Sequence, residues 1–130
     1  MKPESDNPGN LIVRTRRFAL DSIELYSALP KTTVAQVLGK QFLRSATSVG
    51  AHYREAQRAK SILDFVSKIE GALQELDEAA YWIELLVESG NLQAQQYDAR
   101  RAEIEELIAI FVTIAKSAKN TSIKKIQRLK

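Results

Sequence analysis

The chain has 130 residues, no cysteine, 45% hydrophobic content and a formal net charge of +3. That suffices for one domain with a real core and excludes a disulfide framework or a thiolate metal centre. No stretch approaches about 18 consecutive apolar residues, and the opening MKPESDNPGN lacks the apolar run of a signal peptide. The expectation is therefore a cytoplasmic protein without membrane contact.

Residues 1–9, with two prolines and a glycine among polar residues, read as a disordered lead-in. A first helix is expected over residues 10–29, with Leu11, Ile12, Phe18, Ala19, Ile23, Leu25, Tyr26 and Leu29 as its apolar set. Pro30 stops it. Thr32 or Thr33 caps a second helix reaching to about residue 59, carried by Val34, Val37, Leu38, Phe42, Val49, Tyr53 and Ala56. Gly39 and Gly50 inside it each cost up to about 1 kcal/mol against alanine, which suggests close packing or a bend.

The third helix, residues 61–90, dominates the chain. Ile62, Phe65, Val66, Ile69, Ala72, Leu73, Leu76, Ala79, Ala80, Ile83, Leu86 and Val87 recur at three-and-four spacing and form one apolar face. Ser61 followed by Asp64 resembles a capping box, and Gly90 is a left-handed stop. Such a helix is roughly 45 Å long and needs neighbours alongside it. A fourth helix is expected over residues 93–118, with Asn120 as its terminator. Short connections between long helices make the fold an all-α, antiparallel up-down-up-down four-helix bundle over residues 10–119, followed by a flexible basic tail at residues 120–130.

Charge falls in blocks. Residues 31–60 carry six basic side chains against Glu55, residues 61–90 seven acidic ones against Lys68, and the last fifteen residues six basic ones and no acid. Such blocks steer subunits together or attract polyanions. The candidates for phosphate contact are Arg14 and Arg17 on the first helix, Arg54, Arg58 and Lys60 at the end of the second, and Lys124 and Lys125 in the tail. Tyr81 and Trp82 are aromatic but sit among acids, where packing is the expected role rather than base stacking.

The second helix also carries a polar stripe that includes Arg44, Ser48, His52 and Glu55. Arg44 and Glu55 are about 16 Å apart along the axis and cannot pair with each other. Antiparallel packing on the third helix brings Glu75 or Glu78 to Arg44 and Lys68 to within a turn of Glu55, so a structural polar network is expected. His52 has no adjacent nucleophile, and Val49, three residues before it, breaks the Glu-x-x-His pattern of di-iron bundles. With no phosphate-binding glycine loop, H-E-x-x-H or G-x-S-x-G, the expectation is a non-enzymatic protein without metal or cofactor.

Arg14 with Phe18-Ala19, then Gln41-x-x-Arg44-Ser45-Ala46-x-Ser48-Val49-Gly50-Ala51-x-Tyr53-x-Glu55-Ala56, resembles the four-helix proteins encoded within intervening sequences of bacterial 23S ribosomal RNA genes. The continuation through Asp64-Phe65, Lys68, Ala72, Glu75 and Ala80-Tyr81-Trp82-Ile83-Glu84-Leu85-Leu86 agrees with it. That family is similar in fold to the accessory variability determinant proteins of diversity-generating retroelements. The resemblance implies a ring-shaped homo-oligomer, a pentamer, that binds RNA or DNA through a basic surface; the charge blocks leave the alternative of an assembly scaffold, acidic third helix against the basic second helix or tail of a neighbour, for a protein partner. It also implies that Arg44, Ser48, Glu55 and Glu75 are fold and assembly determinants. His52 departs from the pattern, which usually has asparagine there.

Overall fold

The structure, a computed structural model, describes residues 10–129. The expected lead-in, residues 1–9, lies outside the described residues, as does residue 130. The described chain is all-α, with α1 (Leu11–Ser27), α2 (Thr33–Gln57), α3 (Ile62–Glu88) and α4 (Ala94–Arg128) each packed on the next in sequence. Cross-helix neighbours set their directions. Gly39 lies against Leu29 and Gly50 against Thr15, so α1 and α2 are antiparallel. Arg44–Glu78 with His52–Glu75 does the same for α2 and α3, and Arg101–Glu84 with Lys119–Glu70 for α3 and α4. The four helices run up, down, up and down.

The start of α2 and both ends of α3 follow their sequence signals. The Asn10 side chain accepts from the amides of Ile12 and Val13, and Thr32 Oγ1 accepts from Ala35 N–H. At the start of α3, Ser61 Oγ accepts from Asp64 N–H, while the Asp64 carboxylate accepts from the Lys60 amide, one residue before the partner a capping box would use. Gly90 has φ +79° and closes α3 with paired bonds, Gly90 N–H to Val87 O and Asn91 N–H to Leu86 O. This left-handed turn favours glycine because a side chain there is strained.

Phe18, Phe42, Phe111, Ile69, Leu76, Ile83, Leu86, Ile104 and Leu107 are fully buried at the centre. Each such side chain contributes about 1.5–3 kcal/mol, and truncating Phe42 to alanine would cost about 3–5 kcal/mol. The glycines of α2 reflect close approach: a Cβ on Gly50 would lie 3.1 Å from Thr15 Oγ1, and one on Gly39 2.5 Å from a Leu29 methyl. Thr15 and Ser22 are buried on α1 and donate back to the carbonyls of Leu11 and Phe18, so their hydroxyls need no partner across the seam.

Two expectations need correction. Ile23, Val34 and Val37 are 44%, 55% and 56% exposed rather than core. Each helix has neighbours on only part of its circumference, and the edge of a wide apolar stripe stays in water. Asn120 does not end the fourth helix, which continues without a break to Arg128. There is no proline or glycine in that stretch, Thr121 Oγ1 bonds back to Ser117 O, and Lys125 and Arg128 in the last turn favour the negative end of the helix dipole. The basic tail is thus helical as far as Arg128.

Candidate nucleic-acid interface and the polar seam

Helix direction brings several of the nominated cations together. The C-terminus of α2, the turn into α3 and the last turns of α4 share one end of the bundle, where residues 56–62 meet Ala118 and Thr121 across a cleft. Arg54 and Arg58 line a second shallow cleft at this end with Ile12, Glu55 and Gln57. Arg54, Arg58, Lys60, Lys124 and Lys125 are exposed, and among the described residues none of them forms an ion pair within the chain. Because α4 is helical past residue 120, Lys124 and Lys125 are held in register with Thr121 instead of trailing from it.

Arg14 stands apart from this group. Its Nε donates to Glu103 Oε2 at 2.9 Å and its Nη2 to Glu103 Oε1 at 2.7 Å, with Glu106 a further 3.2 Å partner. The side chain is 23% exposed, and the Glu103 hydrogen bonds raise its pKa above the usual arginine value against the opposing effect of burial. Its charge serves the seam between α1 and α4, where Arg100–Asp21 at 3.0 Å is the companion pair. Arg17 is exposed and lines a groove of about 480 Å³ in that seam, beside Glu103 and Glu106. Carboxylates lining the groove oppose a phosphate there.

The polar stripe of α2 meets α3 as expected at one end and differently at the other. Arg44 reaches Glu78 at 3.1 Å and Glu75 at 3.8 Å. Glu55 does not pair with Lys68; its Oε1 lies 3.0 Å from His52 Nδ1, and Glu75 Oε2 lies 3.6 Å from His52 Nε2. The imidazole therefore stands between two carboxylates, one from each helix. Ser48 donates to the Arg44 carbonyl and takes no part in the ion pairs. Buried atoms without hydrogen-bond partners also occur on these two helices: Ser45 Oγ, Glu75 Oε1 and Trp82 Nε1. Among the described residues no group of histidine and carboxylate side chains could hold a metal ion.

Tyr81 is exposed and Trp82 half-buried, their ring centroids 5.1 Å apart, beside Asp77, Glu78 and Glu84 in sequence. An aromatic residue that the sequence reading assigned only to the core, Phe65, lines the cleft at the basic end. Helical periodicity placed it on the apolar face; only the packing of α4 against the α2–α3 turn puts it in a cleft with Lys60, Ala118 and Thr121. No helix among the described residues is long and apolar enough to cross a membrane.

The fold and this end of it define a class: a small four-helix protein with an unpaired cationic end and a closed polar seam. The chain belongs to the family described as 23S rRNA-intervening sequence protein, which it matches over residues 10–113. It is similar to a protein of unknown function from the S23 ribosomal protein family of Bacteroides thetaiotaomicron, known from a crystal structure. The two share 34% identity and a TM-score of 0.78, over 82% of this chain and 99% of that one. No curated protein matches significantly. The family match ends before the last turns of α4, so Lys124 and Lys125 lie beyond it.

Proposed function

We propose that the protein is a non-enzymatic, homo-oligomeric helical bundle that binds RNA through the cationic end of each subunit. The observation that carries this reading is the convergence of Arg54, Arg58, Lys60, Lys124 and Lys125, from three parts of the chain, with no ion pair to neutralise them among the described residues. Arg14–Glu103, Arg44–Glu78 and Lys119–Glu70, by contrast, are matched pairs. Unmatched cations at one end attract a polyanion by releasing its counterions. Assembly into a ring, a pentamer as in the ring-forming proteins it resembles, repeats the patch by symmetry and raises avidity.

The test is binding of a short structured RNA, followed by size-exclusion chromatography with light scattering and by anisotropy. Log affinity is expected to fall with log salt by about 0.7–0.9 per phosphate neutralised. Reversing charge at Arg54 and Arg58 abolishes binding and leaves the assembly intact. Affinity that stays flat between low and moderate salt overturns the reading.

A second reading, an assembly scaffold for a protein partner, is favoured by the apolar side chains left in water on α1 and α2, Leu20, Ile23, Val34 and Val37. On that reading the basic end of α2 mates with the acidic α3 of a neighbouring subunit, and the same charge reversal alters the assembly.

A further inference from the structure

Phosphate contacts position a nucleic acid but do not tell a paired strand from an unpaired one. The cationic end holds a feature that does. An open cleft of about 580 Å³ lies between the α2–α3 turn and α4, with Ala59, Ile62, Phe65 and Ala118 among its apolar lining and Lys60 and Thr121 as polar members. No carboxylate lines it. Asp64, next to Phe65 in sequence, is turned to the Lys60 amide at 3.2 Å. Lys125 follows Thr121 by one helical turn, about 6 Å along the axis, on the same side of α4. Lys124 precedes it.

The other described clefts lack this combination. The two along the α1–α4 seam contain Asp21, with Glu24 in one and Glu103 and Glu106 in the other. The cleft beside His52 contains Glu70 and no aromatic other than the imidazole, and the one beside Arg54 contains Glu55 and no aromatic. Tyr81 and Trp82 sit among acids. Aromatic surface, an apolar floor and the unpaired Lys60 meet in this cleft, with Lys124 and Lys125 about a turn beyond Thr121 on α4, and these are the components that hold an unstacked base with its flanking phosphates.

We propose that this cleft takes an unpaired nucleobase of single-stranded RNA, packed against Phe65, with the neighbouring phosphates on Lys60, Lys124 and Lys125. The inference rests on the RNA-binding reading and adds a preference to it. A duplex keeps its bases stacked and offers the cleft nothing, so single strands bind more tightly although a duplex carries the denser charge. Every base has an apolar face, so the preference is for an unpaired base and not for a sequence.

The experiment is anisotropy of the full-length chain with a labelled 12-nucleotide single-stranded adenosine RNA and with a labelled duplex of the same length, at two salt concentrations. Phe65→Leu keeps apolar volume and removes the ring. Ala118→Leu fills the floor from the opposite helix and leaves Phe65 in place, so a folding defect at one site does not decide the matter. The expected result is tighter binding of the single strand than of the duplex. Each variant then loses affinity for the single strand by roughly tenfold, the order of one stacked base, with an unchanged salt slope and unchanged duplex binding. Equal affinity for both forms, indifferent to both variants, overturns the cleft and leaves the phosphate-binding end standing. No binding of either RNA at either salt overturns the phosphate-binding end, and the cleft with it.

Discussion

Gly71 on α3 faces the imidazole of His52 on α2 so closely that a Cβ there would lie 3.3 Å from Nδ1 and 3.4 Å from Cε1. The histidine reaches Glu75 across the seam because the facing residue has no side chain. In a helix interior Gly71→Ala gains up to about 1 kcal/mol of propensity, but with His52 present the ring must shift. The gain is therefore expected to be cancelled in the parent protein and recovered in a His52→Ala background. That is a coupling of about 1 kcal/mol, read from urea unfolding of the four variants. Additivity to within about 0.3 kcal/mol would show that the ring yields freely.

Arg14 separates stability from binding. It makes a two-pronged contact with Glu103 in a partly buried seam. Hydrogen bonds between charged groups contribute about 1.5–3 kcal/mol when shielded, so Arg14→Ala should lower unfolding free energy by about 1–2 kcal/mol. Arg14→Lys should recover only part, since a point charge cannot reproduce the fork. RNA affinity should not change in either variant. A loss of affinity with unchanged stability would move Arg14 into the interface.

Tyr53 packs its ring against Phe111 at 5.7 Å, and burial raises its pKa above the usual tyrosine value because the phenolate is disfavoured there. The sign follows from linkage. Below about pH 10 the hydroxyl is protonated folded and unfolded alike and adds no pH dependence. Above that the unfolded chain loses the proton first, and stability falls as pH rises toward the folded pKa. Tyr53→Phe should match the parent in stability near neutral pH and exceed it increasingly above about pH 10. Parallel alkaline limbs in thermal melts of the two proteins would contradict this.

Much of the fold was legible because helices are local. Three-and-four spacing, Thr32 and Ser61 as caps, Pro30 after α1 and Gly90 after α3 are short-range signals, and four helices with short turns leave few arrangements. The resemblance carried by the α2 motif agrees with the family match. Asn120 misled because a single weak helix former does not outweigh neighbours that favour the helix. Val34 and Val37 misled because periodicity shows which side of a helix is apolar but not how much of that side a neighbour covers.

The site was legible only in part. Charge blocks, and the pairing of Arg44 with Glu75 or Glu78, followed from counting residues along antiparallel helices. Three relationships did not: that Arg14 is consumed by Glu103, that Glu55 turns to His52 instead of Lys68, and that Phe65 shares a cleft with Ala118 and Thr121 of α4. Each joins residues on different elements or selects one of several partners within reach. The amino-acid sequence by itself determined which faces are apolar, where the first three helices begin and end, and how much charge each segment carries. Tertiary structure alone decided which cations are matched and which remain free, because pairing depends on distances between helices that no spacing along one helix contains.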